Sequence, residues 1–262
     1  MKILVCIKQV PSTSKIEVDE KTGVLKRDGI ESKMNPYDLY ALETALFIRE
    51  KIGGSITVVT MGPKQAVTII REAYMIGADD GYIFSDRKFA GADVLATSYT
   101  LSQGISSLGK FDLILCGKQT TDGDTAQVGP AIAEYLNIPH VTWVSAIREL
   151  DEKKIVVEQD MEANFEVVEL EYPCLLTVEK NIFQPRLPSY RQKLMTDGRA
   201  VNVKTFDDFE DHDEKKYGLN GSATQVERIF PPAINTKRIL WEGNCMELVE
   251  NTYNVLKSAK FI

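Results

Sequence analysis

Residues able to do chemistry are densest in GKQTTDGDTAQVGPAIAEYL, 117–136, directly after the apolar run DLILC. Thr120 to Thr125 are small or polar and would let a ligand approach the backbone closely. The N–H groups opening the next helix, at about Asp124 to Val128, would meet a phosphate at the helix's positive end. The segment is neither G-x-G-x-x-G nor G-x-x-x-x-G-K-[ST], so it reads as a phosphate cradle without a Walker lysine. Taken alone, the same residues equally suit an acidic turn, with Asp122 and Asp124 as helix caps and Gly129-Pro130 as a kink. Other strand ends are expected on the same edge: Cys6 to Lys8 with Gln9-Val10-Pro11, and Met61-Gly62-Pro63. Singly these read as a core thiol and a turn; together they point to a shared ligand.

Other chemistries have little material. With 2 histidines in the chain, His140 and His212, a His-based triad or metal site is not expected, and His212-Asp213 reads as solvated tail. Cys6, Cys116, Cys174 and Cys245 lie far apart with no C-x-x-C pair, as reduced thiols of a cytoplasmic protein would. A formal net charge of -7 argues against a nucleic-acid partner, because phosphate binding needs clustered Lys and Arg. No apolar run approaches the ~18 to 20 residues that span a bilayer, and MKILVCIKQV enters a strand pattern at once. Membrane insertion, a signal peptide and a transit peptide are therefore not expected.

Short β-branched runs alternate with helical stretches over the first 140 residues. KILVCI (2–7), SITVVT (55–60), GYIFS (81–85) and DLILCG (112–117) read as buried parallel strands. Helices are expected at 35–52, with Asn35 as N-cap and Pro36 at N1, at 64–76, ending at Gly77, and at 92–108. Right-handed crossovers then give a twisted parallel sheet with helices on both faces, and ligands sit beyond its carboxyl edge. From 140 to 178 the period becomes two, in VTWVSAIREL, KIVVEQD, FEVVELEY and CLLTVE, which predicts antiparallel ribbons. The tail, with the acidic run DDFEDHDE at 207–214 and Pro231-Pro232, reads as a solvated linker carrying a helix near 244–258, or as an arm wrapping a partner.

Several motifs, in order over nearly the whole chain, resemble the β subunit of electron-transfer flavoproteins. They are KILVCIKQVP, KTGVLKRDG (21–29), MNPYDLYALE (34–43), VVTMGP (58–63), GKQTTDGDTAQVGP (117–130), GLNGSAT (218–224) and VERIFPP (226–232). The resemblance implies an α/β, Rossmann-like fold of the adenine nucleotide alpha hydrolase type, with an added antiparallel ribbon and a C-terminal arm. It implies a nucleotide- or flavin-binding domain over 1–185, and over 186–262 a partner-recognition loop and an arm packing on an electron-transfer flavoprotein α subunit. Carried over by motif, cofactor contacts come from Cys6, Asn35, Pro36, Tyr37, Asp38 and Met61, and from Asp122, Gly123, Asp124, Thr125, Ala126, Gln127, Val128, Gly129, Pro130, Ala131, Ile132 and Ala133.

DGDTAQVGP, with Gln-Val-Pro after the first strand, resembles the electron-bifurcating branch. That implies FAD in this subunit, NAD(H) as substrate, and ferredoxin and a flavin-dependent dehydrogenase as further partners of an electron-carrying oxidoreductase complex. The alternatives are a non-bifurcating subunit holding structural AMP and serving an acyl-CoA dehydrogenase, and a non-redox adenine-nucleotide sensor. The sensor class normally uses a Gly-rich phosphate loop absent here. Departures from the family pattern occur at Gln159, at Glu162-Ala163-Asn164, and in the recognition loop, where Tyr190 stands in place of an anchoring leucine. A pocket shaped for leucine would reject the tyrosine hydroxyl, which implies a different dehydrogenase, such as one oxidising lactate. Arg186 and Arg191 are expected to steer its acidic docking surface.

Overall fold

The computed structural model describes residues 1–12, 32–227 and 238–262. The KTGVLKRDG stretch, Pro231-Pro232 and most of VERIFPP lie outside them. The chain begins with β1 (Lys2–Cys6), β2 (Gln9–Pro11), β3 (Ser32–Met34), α1 (Pro36–Ile52), β4 (Ser55–Met61), α2 (Val67–Ile76), β5 (Asp80–Phe84), α3 (Val94–Ser107), β6 (Leu113–Gly117) and α4 (Val128–Leu136). It continues with β7 (His140–Leu150), β8 (Lys154–Asp160), β9 (Phe165–Glu171), β10 (Cys174–Val178), α5 (Tyr190–Thr196), β11 (Asn202–Lys204) and α6 (Cys245–Ser258).

The main sheet is 9-stranded, in the order β11-β5-β4-β1-β6-β10-β7-β8-β9. Every neighbouring pair from β11 through β7 is parallel, and β8 and β9 extend the sheet antiparallel. This is the expected α/β class. Alternation along β1 divides the core: Ile3 and Val5 pack with Leu42, Leu46, Ile69 and Ile70 of α1 and α2. Leu4 faces the other way, toward Leu101 and Ile105 of α3 and Ile132 and Ala133 of α4.

Two expectations are corrected. CLLTV is not part of an antiparallel ribbon; as β10 it runs parallel between β6 and β7, all of it buried. A strand covered on both faces reads as a continuous apolar run whatever surrounds it, and it was the neighbouring period-two segments that suggested otherwise. The acidic run at 207–214 is not a solvated linker throughout. Phe206, Phe209 and Tyr217 are buried against Phe84 and Phe89, with the Phe89 and Phe209 rings stacked 5.3 Å apart. Aromatic anchors spaced through an acidic stretch bury enough area to hold it down.

The described residues as far as Glu227 belong to the same compact unit as the sheet, which therefore includes α5 and β11. Residues 238–262 belong to a second unit, whose helix α6 opens with a capping box between Asn244 and Glu247. No helix among the described residues is long and apolar enough to cross a membrane.

Candidate functional site

From β1 the chain moves through β4 to β5 on one side, while β6 lies on the other with β10 and β7 beyond it. The loops leaving β1 and β6 thus diverge at the topological switch point, where open α/β sheets bind ligands. Cys6 and Cys116 lie directly opposite at the ends of these strands. Hydrogen bonding with Cys6 and complete burial push the Cys116 thiol well above the ordinary thiol range, so it is a packing group rather than a nucleophile.

Helix α1 starts at this crevice. Asn35 is its N-cap by position, but its side chain makes no capping hydrogen bond. Instead Nδ2 donates to the Gln119 carbonyl at 2.9 Å and to Asp38 Oδ1 at 2.9 Å, while Oδ1 accepts from the Thr121 N–H at 3.3 Å. Fully buried, Asn35 therefore ties the start of α1 to the loop after β6. Asp38 Oδ2 accepts the Lys8 N–H at 2.7 Å and so ties α1 to the loop after β1. Burial pushes the Asp38 carboxyl up to about 7, against the opposing pull of Asn35, of the Lys8 N–H and charge, and of the Gly117 N–H. Gly117 lets the helix seat this closely: a Cβ there would stand 2.6 Å from Asp38 Oδ1 and 2.7 Å from the Tyr37 carbonyl carbon.

The loop itself is exposed from Thr121 to Thr125. Lys8 Nζ reaches both oxygens of Asp122 at 2.8 Å, and Gln119 Nε2 donates to Asp124 Oδ1. Partial burial raises the Asp122 carboxyl, but the hydrogen bond and charge of Lys8 outweigh it and hold the group below the usual carboxylate range. Asp124 and Ala126 both take left-handed backbone, with φ of 53° and 55°, a conformation that non-glycine residues adopt rarely. Helix α4 then opens at Val128, later than expected, and its N-cap Gln127 offers no side-chain acceptor to the first-turn N–H groups. A Cβ on Gly123 would meet only Thr120 Oγ1, at 3.5 Å.

This donor set fits a diphosphate. The loop's carboxylates are engaged by Lys8 and Gln119, the first amides of α4 lack a side-chain cap, and the peptide at Gly123 is open to close approach. Asn35, Pro36, Tyr37, Asp38, Cys6, Met61 and residues 122–128 all lie at the carboxyl edge of the sheet. Not all can touch a ligand: the Asp38 carboxylate is buried and spoken for, and Ile132 and Ala133 pack into the core. Gly129 serves packing too, since a Cβ there would stand 2.5 Å from Thr177 Cγ2. Lys8 and Gln119 are not among the contacts carried over by motif, although each lies in a segment singled out from the sequence and follows the end of a central strand by two residues, where its side chain reaches a loop carboxylate.

The recognition segment also departs from expectation. Arg186 is partly exposed but not free: its guanidinium is paired with Glu43 and Glu50 of α1, and its own N–H also goes to Glu43. Arg191 starts the exposed helix α5.

Comparison with known proteins bears on this geometry. Residues 22–210 match the electron transfer flavoprotein domain. The chain is 44% identical over 265 residues to an electron transfer flavoprotein subunit beta from Thermoanaerobacterium thermosaccharolyticum, covering 100% of both chains. It is 46% identical over 264 residues, again 100% of both, to the caffeyl-CoA reductase-Etf complex subunit CarD of Acetobacterium woodii. With protein FixA of Bradyrhizobium diazoefficiens the identity is 42% over 245 residues, 91% of this chain and 85% of the relative.

Proposed function

The chain belongs to the electron transfer flavoprotein family as a β subunit, and from that premise we propose that it holds FAD at the crevice between β1 and β6 and carries electrons between NADH, ferredoxin and a flavin-dependent dehydrogenase. The observation that carries this reading is the loop 122–128, with its carboxylates tied off and its helix N–H groups uncapped over the switch point. Those N–H groups would hold the diphosphate. Asn35 and Asp38 would hold the loop and the β1 end in register, with Met61 and Cys6 bordering the site. The bound flavin would supply hydride acceptance and one-electron release, while the protein sets its access and potential.

The decisive substitution is Gly123→Val in the co-expressed heterodimer, since a Cβ there meets only Thr120 Oγ1, at an ordinary contact distance of 3.5 Å, and leaves the fold alone. Flavin counting should show loss of the flavin from this subunit; undiminished FAD sinks the assignment. One flavin plus AMP in the unmodified heterodimer would favour the structural-AMP alternative. Rapid mixing with NADH tests the electron source: NADH should bleach a flavin in the unmodified heterodimer, and if only chemical reductants do so, NADH is not the donor.

The α subunit is expected to cover α6, whose Val249, Tyr253 and Leu256 form an exposed stripe at i, i+4 and i+7. The dehydrogenase is expected at the α5 segment, where Leu187, Tyr190 and Leu194 are 86%, 75% and 62% exposed. Relatedness to CarD favours an acyl-CoA-type flavoenzyme, whereas a tyrosine at the anchor position favours a lactate-type one.

A further inference from the structure

Segment 183–196 runs from α1 to α2 and presents the apolar side chains just described. Its first part is fixed to α1 more firmly than an exposed loop requires. Phe183 stacks on Phe47 with ring centroids 4.4 Å apart, and on the same face of the helix, one turn to either side, Glu43 and Glu50 receive Arg186. Glu43 is buried, and Arg186 Nε and Nη2 fork onto it at 2.7–3.1 Å while the Arg186 backbone N–H donates to Oε2 at 3.0 Å. The segment's next attachment is the Ser189 N–H on the Met75 carbonyl, at 3.2 Å, at the end of α2. Between and beyond these ties Leu187 is exposed just ahead of α5, and Tyr190 and Leu194 lie one turn apart on it, with no buried residue anywhere in α5.

Resting on the reading of α5 as the dehydrogenase-docking segment, we infer that Glu43 and Arg186 are positioning residues that hold the Leu187–Tyr190–Leu194 stripe in its docking pose. A planar guanidinium forked on a buried carboxylate fixes direction as well as distance, which a single lysine bond would not. Because the fork consumes the guanidinium's donors internally, Arg186 acts on the partner through the pose of the stripe and not by direct attraction. Docking a stripe that is already ordered avoids the cost of ordering it on binding.

The test uses the co-expressed heterodimer, with a purified butyryl-CoA dehydrogenase and a purified flavin-dependent D-lactate dehydrogenase as acceptors. The one reduced by the unmodified protein is retained. Arg186→Lys and Glu43→Gln should each raise KM for that acceptor about tenfold, with kcat and flavin content unchanged. Hydrogen exchange at 187–196 should quicken while exchange over 36–52 stays as it was. Restoring the fork with the swapped pair Glu43→Arg plus Arg186→Glu should recover part of the affinity. An unchanged KM in Arg186→Lys, alongside a raised KM in Tyr190→Ala and Leu194→Ala, overturns the positioning role alone. If Tyr190→Ala and Leu194→Ala also leave KM unchanged, or neither acceptor is reduced, the docking reading itself falls.

Discussion

Helix α1 holds a loop at each of two levels, and it does so by different physics. At its first turn Asn35 and Asp38 reach the loops after β1 and β6 through buried hydrogen bonds, and burial keeps the Asp38 carboxyl high, at about 7. Further along, Glu43 and Glu50 hold Arg186 by charge in a partly exposed setting, where the hydrogen bonds that the guanidinium donates to Glu43 raise it further. Buried hydrogen-bond networks are costly to leave half-satisfied and little touched by salt, whereas an ion pair with one partner in water is open to screening. The tie that salt cannot reach is thus at the proposed cofactor crevice, and the tie that salt can reach is at the proposed docking segment.

The largest expected effect comes from removing the strut common to both. Gly117→Val would drive a branched side chain into the Tyr37 backbone and Asp38, so α1 could not seat on β6. Because backbone atoms cannot step aside, the cost should exceed the ~1–3 kcal/mol of ordinary overpacking, and co-expression should yield no soluble heterodimer. A folded Gly117→Val heterodimer with both ties intact would show that the strut is softer than the contacts imply.

Next in size is the pH response of the buried tie. A carboxyl held at about 7 in the folded chain and near 3.8 when unfolded binds its proton more tightly in the folded state. Its stabilising contribution is complete below pH 3.8 and is lost as pH rises toward 7, at up to about 1.4 kcal/mol per pH unit. Urea unfolding of the heterodimer between pH 5 and pH 8 should show this decline, and Asp38→Asn should flatten it. An equal slope in both proteins would mean that Asp38 is ionised in the fold.

How much of this was legible beforehand depended on sequence distance. The strand runs, Asn35-Pro36 opening α1 and the small polar loop after β6 are local signals, and each found its place. The fold class followed from them. What the sequence hid is non-local: β10 entering the sheet between β6 and β7, β11 joining β5, and Asn35 spending its side chain on Gln119 and Thr121 rather than on its own helix. Arg186 looked like a free surface charge because its partner Glu43 is 143 residues away. Helix α4 starting at Val128 instead of near Asp124 has a local cause, since left-handed backbone at Asp124 and Ala126 delays it, but ordinary residue preferences do not announce that conformation.

A smaller effect should separate the two ties by salt. At 1 M ionic strength the screening length is about 3 Å, so the Glu43–Arg186 clamp should loosen while the Asn35–Asp38 network should not. Hydrogen exchange should quicken about two- to fivefold over 186–196 and stay constant over 118–122. Equal responses in both segments would erase the distinction.

The smallest effect concerns an exposed ion pair of the crevice, Lys8–Asp122. Its side chains are 45% and 30% exposed, and such pairs contribute about 0–1 kcal/mol, so neither partner's removal should move the unfolding midpoint far. Their consequences for a bound diphosphate should differ in sign. Lys8→Met leaves Asp122 as an uncompensated negative charge beside the proposed phosphates and should weaken flavin retention about threefold. Asp122→Asn removes that charge, keeps a polar group at the same place and frees the ammonium of Lys8 to face the phosphates, so retention should hold or improve. Flavin absorbance per heterodimer after gel filtration at low and high salt reads both, and high salt should shrink the gap between the variants. If the two substitutions instead weaken retention equally and independently of salt, then the pair acts by tying the loop down mechanically, and the crevice and the docking segment are held by the same kind of bond after all.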